Sequence, residues 1–290
     1  MTYILNTDQI YISKANGERE PFDKEKLLKS LMNSGADKHA ASVVQGEITK
    51  ILYDGIPTHK LYKQAFRLLQ SYSTKTAANY KLRKAIMELG PSGYPFELFI
   101  AELLRRLGYS TLTGTIIKGR CVSHEIDVIA EKEDQHYMIE CKFHNRNGNK
   151  CEVKIPLYIQ SRFKDVEYAW RQQPGHENKH HQGWVVTNTR FTEDAITYAE
   201  CVGLKLLSWD YPYDKGLKDL INRVNLHPIT SLCTLTKKQK QSLLHKGVIF
   251  CRQICEEPNS LDTLDIDQRK KSLVLIEAND ICNSLDIKNY

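Results

Sequence analysis

The spacing of apolar and polar residues changes twice along the chain. Over residues 10–88, a strand-like IYISK and an extended EREPF flank a turn, and four segments with apolar residues three and four positions apart follow, at 23–35, 39–52, 59–73 and 76–89. That spacing is typical of amphipathic helices. Pro91, Gly93 and Pro95 then interrupt the pattern. We therefore predict a mostly helical first domain over residues 1–90.

Helical and strand patterns alternate in the second stretch. Helices are predicted at 96–108, 156–172 and 192–203, and strands at 113–120, 183–189 and 204–210. Between residues 125 and 143, EIDVIAEK and HYMIECKF are typical of two strands joined by the turn EDQ. Such alternation favours an α/β domain with a mixed sheet, here over residues 91–225. Residues 226–290 carry only helical patterns and are predicted to form a small all-α module, which makes the whole a multi-domain α/β protein.

Composition adds limits to this picture. The 290 residues are 41% hydrophobic and 26% charged, as in globular proteins. The sequence has no apolar run long enough for a membrane span and no secretory signal, so we expect no membrane partner and a cytoplasmic location. Eight cysteines without CxxC pairs favour buried thiols in a reducing compartment over a zinc site. The net charge of +6 permits a polyanionic partner.

The hairpin carries charges that an ordinary hairpin does not need. Glu140 and Lys142 are two residues apart in one strand and share a face, and Asp127 lies in the neighbouring strand. Two carboxylates can hold a Mg²⁺-like ion, and a lysine beside them can stabilise charge on a phosphate. Glu97, which opens the preceding helix, could join them. An exposed Glu–Lys pair of little energetic value is the alternative, and the spacing alone leaves both open.

The surrounding motifs resemble those of the PD-(D/E)XK nuclease superfamily, in its Mrr-like restriction endonuclease branch. The segments that carry the resemblance are GYPFELFIAELLRRLGY, EIDVIA, IECKFH and VVTNTRFTEDAITYAECVGLKLLSWD, within residues 92–222. It implies a restriction-endonuclease-like αβββαβ core and hydrolysis of DNA that depends on Mg²⁺ or Mn²⁺. It further implies that Asp127 and Glu140 are metal ligands and Lys142 the catalytic lysine. Glu97 would complete the site, and Gln160 would be an auxiliary residue.

The approach to the aspartate departs from that family. Many relatives have a glycine-rich GxGxxGxD segment, whereas this chain reads KGRCVSHEIDV, with His124 and Glu125 where small residues are common. Basic side chains around the hairpin could contact phosphates or simply face solvent: Lys118, Arg120, Lys142, Arg146, Lys150, Lys154, Arg162 and Lys164. Three histidines near the strands are interpreted as surface residues: His144, His180 and His181.

The N-terminal segment resembles the ATP-cone, an allosteric nucleotide-binding domain of ribonucleotide reductases. The matching residues lie in KANGEREPFDKEK and YDGIPT: Lys14, Gly17, Glu20, Asp23, Lys26 and Thr58. The resemblance implies that ATP or dATP binds there. The chain has no GxxxxGK[ST] loop, so the nucleotide is expected to regulate the reaction rather than drive it. A cone that only mediates oligomerisation is the alternative.

The C-terminal helical segments look similar to tandem helix-hairpin-helix elements. Gly247 would occupy the first hairpin, but the second, LDID at 264–267, lacks the usual glycine. Binding of DNA and plain packing against protein therefore both stay open. Six basic residues supply charge for the first alternative: Lys237, Lys238, Lys240, Arg269, Lys270 and Lys271.

Together these patterns predict a Mg²⁺-dependent DNA endonuclease regulated by ATP or dATP. A homodimer or a higher homo-oligomer is expected if both strands are cut. The resemblance adds a role in defence against foreign DNA. Two other functions stay open: a nucleotide-sensing DNA-binding protein that does not cleave, and a nuclease selective for branched junctions.

Overall fold

The chain, seen in a computed structural model that describes residues 10–176 and 178–283, divides into two units. The first comprises Met1–Leu82 and Asn279–Tyr290, and the second comprises Arg83–Ala278. Most of the predicted C-terminal module thus belongs to the same unit as the sheet, and the three-domain boundaries stay a prediction. No helix in the described ranges is long and apolar enough to cross a membrane.

The first unit combines a small sheet with helices. Strand β1 pairs antiparallel with β2 and parallel with β3. The elements are β1 (Tyr11–Ser13), β2 (Arg19–Pro21), α1 (Lys24–Asn33), α2 (Lys38–Lys50), β3 (Ile56–Pro57), α3 (Thr58–Tyr72) and the start of α4 (Thr74–Met87). Apolar residues at helical spacing, among them Val44 and Ile48 of α2 and Ala65 and Leu69 of α3, form its buried core. The predicted helices of this unit are confirmed.

The second unit is built on a five-stranded mixed sheet. Its strand order is β10-β8-β6-β5-β4, in which β6, β8 and β10 run parallel while β5 is antiparallel to both neighbours. Strands β7 and β9 form a separate parallel pair. The elements are α5 (Tyr94–Arg106), β4 (Ser110–Lys118), β5 (Ser123–Lys132), β6 (Gln135–Lys142), β7 (Lys150–Cys151), α6 (Lys154–Trp170), β8 (His180–Thr187), β9 (Arg190–Phe191), α7 (Glu193–Val202), β10 (Lys205–Leu207), α8 (Leu217–Val224), α9 (Lys237–His245), α10 (Cys251–Glu256) and α11 (Gln268–Asn283).

Helices cover both faces of this sheet. On one face, Ile129 of β5 and Met138 of β6 share a buried cluster with Phe163 of α6. On the other face, Phe143 packs against Phe96 of α5 with ring centres 5.6 Å apart. Side chains alternate along a strand, so Glu140 and Lys142 project toward the α6 side. The restriction-endonuclease-like mixed α/β architecture is confirmed in this coarse form.

The short elements are where sequence patterns were insufficient. Helix α8 was not predicted. Strands β3, β7 and β9 were not predicted either, because two residues carry no periodicity. Within the C-terminal stretch that was predicted to be helical, Pro258–Thr263 forms a 3₁₀ helix.

The C-terminal helices use some of their predicted DNA-binding groups internally. Gly247 follows α9 with φ 78°, a conformation that glycine adopts without strain. In the second hairpin, Asp267 Oδ1 accepts from the backbone N–H of Lys270 at 2.7 Å. Lys240 is buried and donates to the carbonyl of Thr230 at 3.0 Å. Lys240 is therefore not part of a basic surface.

Candidate active site

Two carboxylates stand opposite each other on neighbouring strands. The antiparallel register pairs Val128 of β5 with Ile139 of β6, so one step further Asp127 lies opposite Glu140. Asp127 Oδ2 accepts from the backbone N–H of Cys141 at 2.7 Å, which fixes its side chain across the strand pair. The hairpin register therefore brings together the two residues that the sequence predicted as a pair.

Glu140 is buried between two cations. Its Oε1 lies 2.5 Å from Lys142 Nζ, and its Oε2 lies 2.6 Å from Nη1 of Arg162 on α6. The Glu140 side chain is 8% exposed, whereas that of Lys142 is 32% exposed. The same guanidinium also donates to the backbone carbonyl of Glu125. Glu140 is thus held in place, while the Lys142 ammonium still reaches solvent.

Glu97 adds a third carboxylate to this end of the sheet. It lies in the first turn of α5. Burial, followed by the charges of Asp127, Glu125 and Glu140, raises the pKa of Glu97 to about 7. Burial and then Glu140 raise the pKa of Asp127 to about 6. Negative charge therefore accumulates in a partly desolvated place, where a divalent cation would relieve the repulsion.

Arg162, rather than Gln160, is the α6 side chain that contacts the carboxylate of Glu140. Residues two apart in a helix differ by about 200° in direction, so the two side chains point to nearly opposite sides. Gln160 Nε2 instead lies 3.5 Å from the carbonyl of Val202 at the end of α7. This hydrogen bond is not with the carboxylates, and an auxiliary role for Gln160 stays a prediction. Arg162 appeared in the sequence only as one of eight basic residues, since no pattern distinguishes the one that α6 directs inward.

His124 and Glu125, which replace small residues of relatives, connect the approach segment to α6. His124 Nε2 lies 2.8 Å from Asp165 Oδ2. Asp165 also accepts from the backbone N–H of Cys121 at 2.8 Å and of Val122 at 3.3 Å. Hydrogen bonds from His124 and these N–H groups hold the pKa of Asp165 well below its usual range. The departure from the glycine-rich pattern is thus accommodated by side chains of α6.

Several of the basic residues around the hairpin have local partners. Lys154 pairs with Glu152 and Lys164 with Glu167, both at 2.8 Å. The Arg120 guanidinium lies over the ring of Tyr168, 4.6 Å from its centre. Lys118, Arg146 and Lys150 are exposed. The carboxylates are therefore surrounded by exposed basic side chains, but neighbouring glutamates neutralise part of that positive charge.

The predicted nucleotide-binding lysines lie together in the first unit. Lys14 Nζ lies 2.8 Å from Glu20 and 3.3 Å from Glu18. Lys26 Nζ lies 3.7 Å from the other oxygen of Glu20. The fold thus gathers both lysines around one glutamate at the β1–β2 hairpin.

The other three predicted nucleotide-binding residues stabilise the backbone nearby. Gly17 has φ 84° in the turn between β1 and β2. Asp23 is the N-cap of α1 and accepts from the N–H of Lys26 at 2.9 Å. Thr58 Oγ1 donates to the carbonyl of Ser13 at 3.0 Å. Each has a local structural role, so their part in nucleotide binding stays a prediction.

Two family models match parts of the chain. Residues 91–210 match the family described as restriction endonuclease, and residues 227–282 match the family described as AF1548-like, C-terminal. The carboxylates, Lys142 and the mixed sheet all lie within the first match. This part of the chain is therefore a restriction-endonuclease-like domain. Neither match extends over residues 1–90.

A relative that the chain covers almost completely identifies the family. An uncharacterized protein of Archaeoglobus fulgidus is 38% identical over 180 residues, which are 62% of this chain and 97% of that protein. The crystal structure of the protein of unknown function AF1548 is 36% identical, with a TM-score of 0.54, over 66% of this chain and 98% of that one. The chain belongs to the family of these AF1548-like proteins.

Two further solved structures are similar at a greater distance. A repair endonuclease from Pyrococcus abyssi is 18% identical, with a TM-score of 0.30, over 40% of this chain and 46% of that one. The MspJI restriction endonuclease, in complex with a 27-mer oligonucleotide, is 11% identical, with a TM-score of 0.28, over 46% of this chain and 29% of that one. Similarities this distant say nothing about the substrate of this chain.

Proposed function

We propose that this protein is a divalent-metal-dependent endonuclease that hydrolyses phosphodiester bonds in DNA. The observation that carries the proposal is the pairing of Asp127 with Glu140 across two strands, beside a solvent-reaching Lys142. The raised pKa values of Glu97 and Asp127 support it. Carboxylates that are buried beside one another are typical of functional sites, whereas an ordinary surface ion pair has no such neighbours.

The donor set fits a hard cation such as Mg²⁺ or Mn²⁺. Asp127 and Glu140 would hold the ion, with Glu97 as a third oxygen donor, and hard cations prefer carboxylate oxygens. When bound, the ion would polarise the phosphate and make a bound water more acidic. Arg162 orients Glu140 for this role through its 2.6 Å contact.

Lys142 is proposed as the catalytic lysine. Its Nζ lies 2.5 Å from Glu140 and its side chain is partly exposed, so it can move toward an incoming phosphate. A fixed positive charge there stabilises the negative charge that builds on the phosphate oxygens during attack by water. DNA is proposed as the substrate because the domain is of the restriction endonuclease family and its surroundings are basic.

The test is cleavage of labelled linear and branched duplexes with Mg²⁺, Mn²⁺, Ca²⁺ or a chelator. Wild-type protein is expected to cut with Mg²⁺ or Mn²⁺ and to be inactive with the chelator. Asp127→Asn is expected to lose roughly 10²-fold or more in rate. If only branched DNA is cut, the protein is instead a nuclease selective for branched junctions. Tight binding without cutting by wild-type protein under every condition would contradict it.

We further propose that ATP or dATP binds the first unit and regulates cleavage. Lys14 and Lys26 around Glu20 offer positive charge, and the adjoining turn and helix start offer backbone N–H groups for phosphate. Assembly into a homodimer would allow both strands to be cut.

Calorimetric titration of the full chain with ATP and dATP tests this second proposal. We expect binding that Lys14→Ala weakens roughly 10-fold or more, since charged hydrogen bonds contribute about 1.5–3 kcal/mol. Lys29→Ala is the matched control, because Lys29 is an exposed lysine of the same helix as Lys26. Absence of heat with both nucleotides would contradict nucleotide binding and leave the nuclease proposal untouched.

A further inference from the structure

Three histidines meet at the end of the sheet away from the carboxylates. His136 of β6 and His181 of β8 are directly opposite in the parallel register, and both are buried. His176 joins them from the segment between α6 and β8. Trp170, at the end of α6, covers the group, with its ring centre 4.0 Å from that of His136. The interpretation of His181 as a surface residue was therefore wrong, because β8 turns this side chain under α6.

The three rings lie close enough together to be candidate ligands of one ion. One nitrogen from each ring lies within 4.8 Å of the other two. Nδ1 of His136 lies 3.2 Å from Nδ1 of His181, and two nitrogens on a tetrahedral zinc ion would be about 3.3 Å apart. The three ring centres are separated by 5.0, 5.3 and 5.6 Å, against about 5.2 Å for imidazoles on one such ion.

Nδ1 of His136 and Nδ1 of His181 are hydrogen-bonded to each other, and a bound ion would replace that contact. His181 Nε2 lies 3.4 Å from the backbone carbonyl of His176, and as the donor there it leaves a lone pair on Nδ1. Metal-bound histidines usually donate their other nitrogen in this way. His176 Nδ1 is buried without a hydrogen-bond partner in the described part of the chain.

We propose that His136, His176 and His181 bind a transition-metal ion of the Zn²⁺ class. Three imidazoles are ligands for such ions and not for Mg²⁺, which prefers oxygen. A cavity of about 380 Å³, lined in part by Glu131, His136 and His176, adjoins the group and leaves room for water as a fourth ligand. Among the described residues, no other three side chains of ligand type come as close together.

This site differs from the nuclease centre in place and in effect. His136 and Glu140 are four residues apart on β6, roughly 13 Å along the strand. An ion held by two strands and by the segment after α6 would join that segment to the sheet. Binding of metal to the native state alone stabilises a protein by mass action. The bound ion is therefore expected to raise the unfolding temperature without taking part in cleavage.

The test is binding of Zn²⁺ and of Co²⁺ to chelator-treated, full-length protein. We expect one equivalent of tightly bound Zn²⁺, a Co²⁺ absorption spectrum of tetrahedral type, and a higher unfolding temperature with Zn²⁺. His176→Ala should weaken binding roughly 10- to 100-fold or more. Because His176 is only partly buried in an irregular segment, this variant is expected to fold, as judged by an unchanged unfolding temperature in chelator.

Two controls separate this site from others. His180→Ala removes an exposed neighbour of His181 on the same strand, and Asp127→Asn alters the carboxylate centre. Both variants should keep the Zn²⁺ equivalent and the cobalt spectrum. Wild-type protein that retains no Zn²⁺, or a His176→Ala variant that binds it as tightly as wild type, would overturn the proposal. So would loss of the zinc in Asp127→Asn, since that would assign the ion to the nuclease centre.

Discussion

Arg162 is the residue that the structure adds to the sequence-based site. Asp127, Glu140 and Lys142 could be paired from strand periodicity and from the resemblance, because two-residue alternation fixes which side chains share a face. Which basic residue reaches Glu140 depends on how α6 crosses the sheet, and the sequence of one helix does not contain that information. The resemblance named Gln160 as an auxiliary residue of the site, and it did not single out Arg162.

Removing the Arg162 guanidinium is predicted to impair catalysis more than folding. Arg162→Ala leaves a buried Glu140 with Lys142 alone, and loss of orientation of a metal ligand costs roughly 10²-fold in rate. The measurement is the single-turnover cleavage rate with Mg²⁺. Arg171→Ala, which removes an exposed guanidinium paired with Glu167 at the end of the same helix, is the matched control and should stay within a few-fold of wild type. Equal losses in the two variants would show that Arg162 has no special role.

Glu97 is predicted to make metal-free stability fall as pH rises. A carboxyl with a pKa raised from 4.5 to about 7 binds more protons in the folded than in the unfolded state across that window. The free energy of unfolding therefore falls as pH rises through it. Glu97→Gln should be more stable than wild type at pH 8 by roughly 1–2 kcal/mol after allowance for solvent screening.

The measurement for Glu97 is urea unfolding at pH 4 and pH 8, with and without Mg²⁺. The difference between wild type and Glu97→Gln should vanish at pH 4, where the carboxyl is protonated in both states. Added Mg²⁺ should stabilise wild type more than the variant at pH 8. A stability difference between wild type and Glu97→Gln that does not change with pH would mean that burial and neighbouring charge do not disfavour the ionised Glu97 carboxylate.

At the scale of elements, the β4–β5 turn depends on close approach to α6. The Gly119 N–H donates to the carbonyl of Val122 at 2.8 Å, and Arg120 N–H donates to the carbonyl of Asp165 at 3.0 Å. A Cβ on Gly119 would overlap Asp165 Oδ2 and lie 2.8 Å from the carbonyl oxygen of Val122. Glycine is therefore required at position 119 because there is no room for a Cβ atom, and not because the backbone has a positive φ.

Gly119→Ala is predicted to destabilise the second unit by about 1–3 kcal/mol, the usual cost of overpacking. The backbone carbonyl of Val122 cannot move aside as a flexible side chain could. Gly148→Ala is the control, because a Cβ there has no atom within 4 Å. Thermal unfolding of both variants checks the prediction, and equal unfolding temperatures would contradict it.

Sequence patterns gave the long elements and missed the small ones. Strands β4, β5, β6 and β8 each span eight residues or more, enough for alternation to show. Pairing of β7 with β9 joins two residues from each side, and its formation depends on where the long elements bring those segments. The group of His136, His176 and His181 could not be predicted for the same reason, because the fold brings its members together from three separate segments.

At the scale of the whole molecule, the number of DNA phosphates that basic side chains contact sets how DNA binding responds to salt. The chain carries +6, and binding of basic groups to phosphates releases counterions. DNA affinity is predicted to fall roughly 10-fold or more between about 50 and 200 mM salt. Fluorescence anisotropy with Ca²⁺ in place of Mg²⁺ measures this without cleavage. Affinity independent of salt would contradict a phosphate-contacting surface.

The change of sequence pattern near residue 90 lies close to Leu82, where the main segment of the first unit ends, while the predicted domain boundaries stay a prediction. The return of the chain from Asn279 onward to that unit was not predictable. It depends on the packing of distant segments, and the helical periodicity of α11 gives no information about its partner.

The most direct test of the nuclease proposal is conversion of supercoiled plasmid by wild-type protein and by Lys142→Ala. Methylated and unmethylated plasmids are incubated with Mg²⁺, alone and with ATP or dATP. We predict nicked or linear product with wild type, and roughly 10²-fold less or none with Lys142→Ala. Cutting of the same rate by Lys142→Ala, or no cutting by wild type with any plasmid and nucleotide, would contradict the proposed function.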